Sequence, residues 1–324
     1  AVSAEPPQSA SPIRTRLLTD KQYVNTITQV FGADISESVL PPIPPIERTD
    51  GLLASGAASV GVTSDQISQI QLAAATVAQK VVDEEHRDFL IPCSPESAIA
   101  ADPVCAGLFL AEMGRLLLRG SMDETRLAQL VDVASYAAEQ TEDFYDGLAL
   151  ALEAILISPE FVFIVDSVEP DPERPAQQRL DSYSLASRLS FFLWNAAPDD
   201  ALLQAAENGE LHTPQGLARA VDRLLASTRL EEGMRTFFDD MLAFDEFNSL
   251  AKDPLVYPMV TGTTLEHARE QTLRTIIGHL LVDEADYRDL FTTRKTFMSM
   301  PLAALYGAAA APYKAAKGMD MKVL

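Results

Sequence analysis

Three carboxylates and one arginine in this 324-residue chain, Glu153, Asp199, Asp200 and Arg188, are the candidates for catalysis. Glu153 lies in "LALALEAILIS", an acid inside a nearly continuous apolar helix, and a carboxyl in an apolar setting is what general-acid chemistry requires. Its plainer reading is a buried acid paired with an arginine such as Arg188. Asp199 and Asp200 are adjacent in "NAAPDDALL", and they complete a stretch, residues 185–203, that holds the sole tryptophan, Trp194, beside Phe191, Phe192 and Arg188. An aromatic wall with an arginine anchor suits an anionic ligand group. A core helix ending in a tight connector explains the same residues more completely. In that reading Leu185, Leu189, Phe192 and Leu193 share one face, Phe191 and Trp194 widen it, Ser187 and Ser190 allow close approach, and Asp199 caps the next helix.

The histidines are His86, His212, His267 and His279, and none lies in H-E-x-x-H. G-x-S-x-G, the P-loop, G-x-G-x-x-G and C-x-x-C-H are all absent, so the chain has no motif for covalent c-type haem attachment. His267 and His279 sit on one predicted helix about 18 Å apart at 1.5 Å per residue. They cannot share a metal ion, but each, with Trp194, is a candidate contact for a cofactor held elsewhere. Asp283, Glu284 and Asp286 lack EF-hand spacing, and no metal set is read. Cys93 and Cys105, in "IPCSPESAIAADPVCAGLF", have no metal-ligand pattern around them. A structural disulfide is the favoured reading, against two buried free thiols, and it implies an oxidising compartment.

The elements that would position these residues are helical. Capping boxes open helices at Thr19 with Gln22, at Thr63 with Gln66, and at Thr263 with Glu266. Ser121 to Glu124 marks another start, and Thr213-Pro214 is a cap followed by a first-turn proline. Helices are expected over 181–195, 199–208, 214–226, 229–244, 263–283, 286–291 and 299–306. "LPPIPPIERTDG" is an extended connector, and "EFVFIVDSV" is taken as helix end or loop. The expected fold is all-α, with two helical-bundle domains joined by a Pro-rich linker. Residues 1–16 form a flexible N-terminal segment, 17–168 a helical domain with the Pro-rich connector and Cys loop, 169–180 the linker, 181–307 a second helical domain, and 308–324 a tail.

The composition sets the outer limits. A hydrophobic share of 47% with sparse glycine describes a globular, helix-favouring chain. The formal net charge of −22 excludes a nucleic-acid binder, which needs a basic face, and suits a cationic partner. No run approaches about 18 uninterrupted apolar residues, so no membrane span is expected. "AVSAEPPQSASPIRTR" reads as the start of a mature chain after signal-peptide removal, placing it in the periplasm, at the cell surface or outside.

Several segments together resemble one group, the helical exported proteins of unknown function of planctomycetes and myxobacteria, often called cytochrome-associated. They are "RLLTDKQYVNTITQVFG", "CAGLFLAEMGRLLLRGSMDETRLAQL", "ALEAILISPEFVF", "LDSYSLASRLSFFLWNAAPDDALLQAAENGEL" and "LLVDEADYRDLFTTRKTFMSMPLAALYG". They fall in the family's order from about residue 14 to 307. Where the family usually shows Arg-Arg-Pro-Leu, this chain has Leu117-Leu118-Arg119-Gly120. The family's downstream Cys-x-x-Cys cytochrome-like segment has no counterpart before Leu324. The resemblance implies an exported helical component of a haem-linked redox assembly, packed against a cytochrome-like partner chain or C-terminal portion that carries haem c. The alternative is a non-enzymatic scaffold, or a protein that binds a surface polysaccharide or a partner. A hydrolase using Glu153 or the Asp199/Asp200 pair is the third reading.

Overall fold

The computed structural model describes residues 15–38, 46–58, 61–120, 122–307 and 321–323. Residues 1–14 of the expected N-terminal segment, the four prolines of the connector, the Ser121 cap and most of the tail fall outside the described residues, while residues 15 and 16, expected in that segment, belong to a strand. The fold is mostly helical, as expected, with three short antiparallel strand pairs that the all-α reading did not include. Among the described residues, no helix is long and apolar enough to cross a membrane.

The chain divides into two compact units after Ala226, with residues 49–53 belonging to the second. The first begins with strand β1 (Thr15–Leu17) and helix α1 (Asp20–Phe31). The Thr19 hydroxyl accepts from the Gln22 amide at 3.3 Å, while Gln22 returns its side-chain oxygen to the Thr19 amide at 3.1 Å. Helix α2 (Ser64–Val82) opens with the same box at Thr63 and Gln66. Asp102 caps α3 (Pro103–Leu117) by accepting from the amides of Val104 and Cys105. Asp123, rather than Ser121, caps α4 (Glu124–Thr141), its carboxylate taking the Arg126 amide at 2.8 Å. A carboxylate at this position also complements the positive end of the helix dipole. Asp143 caps α5 (Phe144–Leu156).

These helices bury one large apolar cluster that includes Tyr23, Ile27, Val77, Phe109, Leu148 and Leu152. Helices α4 and α5 pack tightly because residue 147 is glycine; a Cβ there would meet the Ala134 carbonyl oxygen at 2.3 Å. Cys93 and Cys105 form a disulfide that fastens the preceding loop to the first turn of α3.

Two expectations need correcting here. "EFVFIVDSV" contains strand β2 (Phe163–Val165), which pairs antiparallel with β1 in the register Leu17 to Phe163. Its partner lies far off in sequence, so no local pattern announces it. Residues 169–180 are not a linker between compact units. Strands β3 (Val168–Pro170) and β4 (Gln178–Leu180) pair across them, and the Ser167 amide donates to the Ser184 hydroxyl at 2.8 Å. The prolines there serve a strand end and a turn, where a missing N–H costs nothing. The first unit ends with α6 (Ser182–Leu193), α7 (Asp200–Glu207) and α8 (Pro214–Leu225).

The second unit holds α9 (Leu230–Met241) and α10 (Gly262–Ile277), then β5 (Phe297–Ser299), α11 (Met300–Tyr306) and β6 (Met321–Val323), which pairs with β5. Helix α10 is capped two residues earlier than expected: the Thr261 amide donates to the Thr264 hydroxyl at 2.9 Å, in place of a Thr263–Glu266 box. It also does not run unbroken to residue 283 but widens into a π-helical turn over Gly278–Val282. Residues expected to start a helix at 286 form a 3-10 turn, Tyr287–Phe291, capped by Asp286.

Candidate functional site

The distinctive stretch folds as α6 and a sharp turn, and the turn is held by the polar side of α1. The helix begins where Asp181 accepts from the Ser184 amide at 2.7 Å. Two narrow rows are buried along it, Ser184, Ser187 and Phe191, and Ala186, Ser190 and Trp194. The helix stops at Asn195, whose φ of +54° is left-handed, a conformation asparagine tolerates better than most residues. Asn25 donates to the Asn195 carbonyl at 3.2 Å and Gln29 donates to the Ala197 carbonyl at 2.9 Å. The Ala197 amide donates to the Thr26 hydroxyl at 3.2 Å, and Ser190 donates to the Ala197 carbonyl at 2.9 Å. The "YVNTITQ" and "WNAAPDD" segments therefore clasp each other, side chains of the first meeting backbone groups of the second.

Trp194 is 2% exposed, within a cluster of Ala186, Leu202, Leu211 and Leu224, and its indole N–H donates to the Leu224 carbonyl at 2.9 Å. Arg223 lies over its ring at 5.5 Å and grips Asp199 with both terminal nitrogens, at 2.7 and 2.8 Å. Trp194 and Asp199 are thus brought together, but through the Arg223 guanidinium. Asp199 also caps α7, taking the Leu202 amide at 3.0 Å. Phe192, expected on the core face, is 74% exposed. At 100° per residue, position 192 points away from both buried rows.

The remaining candidate acids are separated. Asp200 pairs with Arg115 of α3 at 2.6 Å, and Glu207 holds the same guanidinium at 2.6 Å, which raises the Arg115 pKa against the effect of burial. Asp199 and Asp200 therefore serve two different arginines and do not face one reacting group. Glu153 is half-buried and accepts from Gln71 at 3.4 Å. It does not pair with Arg188, whose guanidinium forms a two-pronged bond to the buried Asp166 at 2.7 and 3.2 Å. The side of α5 that carries Glu153 faces the polar edge of α2, a feature invisible in the helix's own sequence.

The histidines divide in the same way. His86 Nδ1 lies 2.7 Å from Asp83 in a local turn. His279, at the π-helical turn, has Nε2 2.8 Å from the Asp286 carbonyl, so that nitrogen donates a proton and is not a free ligand. It lines a shallow depression with Thr275, Asp283, Lys295 and Phe297. Asp283 is paired with Lys295 at 2.6 Å and Asp286 with Arg288. His267 Nδ1 is buried without a hydrogen-bond partner. Among the described residues, no group of three or more His, Cys, Asp or Glu side chains is placed to hold a metal.

Two features escaped sequence reasoning. Arg119, at φ +58°, is 5% exposed and has no carboxylate partner among the described residues. Its guanidinium donates to the carbonyls of Leu117 at 3.4 Å, Phe161 at 3.0 Å and Phe163 at 2.7 Å, and also to that of Glu160. Burial pushes its pKa down to about 10, and it stays charged at neutral pH. Its only sequence signal was its place in "LLLRG". The second feature is His212, which meets Leu180, Ser182 and Glu169, residues 30 to 43 positions away that nothing local connects.

No curated protein and no solved structure matches the chain. Two stretches of it match family models, and both families lack an assigned activity: residues 105–166 match "Protein of unknown function (DUF1595)" and residues 180–308 match "Protein of unknown function (DUF1592)".

Proposed function

We propose that the chain is the helical component of an exported redox assembly, packing against a chain or portion that carries a c-type haem. The observation that carries this reading is the charge: 47 acids against 25 bases, a net −22, with no single acidic run to account for it. A basic cytochrome surface is its electrostatic complement, and such pairing speeds encounter and weakens as salt rises. The order of the family-like segments supports the same assignment. So does the internal commitment of Trp194, Arg188, Asp199 and Asp200, which leaves these residues as parts of a frame. In this reading the haem belongs to the partner, and this chain's residues orient and shield it.

The test is a visible spectrum and intact mass of the protein purified from its natural source. A Soret band accompanying this chain, lost together with its carrier at high salt, is the expected result. A colourless preparation with no haem-bearing companion overturns the proposal. The scaffold reading would then stand in front, favoured by the exposed apolar segment of Leu255, Val256, Tyr257 and Met259 in the second unit.

A further inference from the structure

His212 stands where three elements of the first unit meet. It closes the 3-10 turn Glu210–His212, just before the Thr213 cap of α8. Its Nε2 lies 3.0 Å from the Leu180 carbonyl at the end of β4. A carbonyl can only accept, so Nε2 carries the proton and, in the neutral ring, Nδ1 is the lone pair. The hydroxyl nearest that lone pair is Ser182 Oγ, at 3.4 Å, on the first residue of α6. Glu169 of β3 stands 3.6 Å from the same nitrogen, held by Arg179 at 2.5 Å. The His212 side chain is 14% exposed, so the ring is fixed, while Ser182 is half-buried and remains reachable.

These are the relationships of a nucleophile, its base and the group that orients the base. The Leu180 carbonyl sets the tautomer, the task a buried carboxylate has in a serine triad. Glu169 stabilises the imidazolium formed when Nδ1 takes a proton. A contact of 3.4 Å is long for a hydrogen bond, and catalytic contacts commonly tighten only when substrate binds. Ser182 also opens a helix. Its own amide and that of Tyr183 have no preceding turn to accept them, whereas Asp181 takes the Ser184 amide. Unpaired first-turn amides beside a nucleophile are the donors that a tetrahedral oxyanion needs.

We infer that Ser182 and His212 form a nucleophile–base pair that hydrolyses short-chain carboxylic esters. Ser182 Oγ bonds to the ester carbonyl carbon as its proton passes to His212 Nδ1. The bond to the alcohol oxygen breaks, and the alcohol leaves with that proton, so the acyl group remains on Ser182. Water then attacks the acyl carbon and gives its proton to Nδ1. The carboxylic acid departs, and Ser182 recovers its hydrogen. Glu169 beside the base favours neutral or cationic esters over anionic ones, and the half-buried hydroxyl favours short acyl chains.

The test treats the full chain with a fluorophosphonate, which phosphonylates an activated serine with loss of fluoride, and follows turnover of 4-nitrophenyl acetate. Peptide mapping is expected to place the adduct on Ser182. Ser182→Ala, which removes only a hydroxyl and leaves helicity unchanged by circular dichroism, should lose both label and turnover. His212→Gln should slow turnover about 100-fold, the lower range for a general base. No adduct, an adduct elsewhere, or Ser182→Ala with undiminished turnover overturns the inference. None of these results depends on haem, so this pair and the redox assembly stand or fall separately.

Discussion

The two units solve the same problem with different materials. In the first, α1 to α5 close around a continuous apolar cluster whose largest members, Tyr23, Phe109, Phe144 and Phe161, are almost completely buried. In the second, the described apolar clusters are small, one around Phe238, Phe244, Leu273 and Ile276 and another around Met298, Leu302 and Ala303. Beside that small Phe238–Leu273–Ile276 contact, α9 and α10 are joined by charge. Arg235 takes both oxygens of Glu270 at 2.9 Å and also binds Glu231, Arg274 binds Glu270 from the other side, and Arg269 binds Asp239. Apolar burial is indifferent to pH and largely to salt, whereas charge pairs are not. The first unit should therefore behave as a conventional core and the second as an electrostatic assembly.

The largest expected effect is on the first unit. Phe109→Ala should cost about 3–5 kcal/mol, because the side chain is fully buried and its neighbours cannot collapse into the space. Urea unfolding measures this, and a loss below about 1 kcal/mol would break the comparison at its stronger end. Next, Glu270→Gln should cost the second unit about 2–3 kcal/mol, less than a fully buried pair because all three side chains keep 14–19% exposure.

The same carboxyl sets a pH dependence. Burial alone would raise the Glu270 pKa, but hydrogen bonds from Arg235 and Arg274 outweigh it and hold the group below its ordinary value. A lowered native pKa adds stability above the unfolded pKa, and that stability is lost as pH falls through the native value. Acid should therefore loosen the second unit before the first, as read by amide hydrogen exchange across α9 and α10. Simultaneous loss in both units would remove the distinction. The smallest effect should be Phe192→Ser, within about 0.5 kcal/mol, since the ring is exposed. A larger cost would show that sequence reasoning had the helix face right.

How much was legible follows from how local each feature is. The caps at Thr19, Thr63, Asp199 and Thr213 use partners three residues away, and all four form. Cys93 and Cys105 likewise sit within one loop and helix start, and their pairing was the favoured reading. The features that were missed are made by distant partners. Strand β2 needs β1, Asp166 takes the arginine that was assigned to Glu153, and Ser182 reaches His212 only after α6, α7 and the following turn have formed. That the first compact unit runs on past residue 170 has the same origin. Proline density near 170 looks like a linker until β3 and β4 pair across it. Phe192 shows a different limit, because an apolar residue has the same letter whether it faces a core or solvent.

Arg119 has a consequence for anyone who divides this molecule. Its charge is wrapped by backbone oxygens of residue 117 and of 160, 161 and 163, and the side chain lying over it is the neutral ring of Phe191, at 5.8 Å. Lysine cannot stand in, since one ammonium has three donors around a point and this site asks for a flat fork. A polypeptide cut in the loop between α4 and α5 would leave the arginine on one fragment and three of its four acceptors on the other. Neither fragment could bury its share alone, but mixed together they would carry complementary halves of a single socket. That makes the α4–α5 loop a natural place to build a split reporter whose signal depends on reassembly.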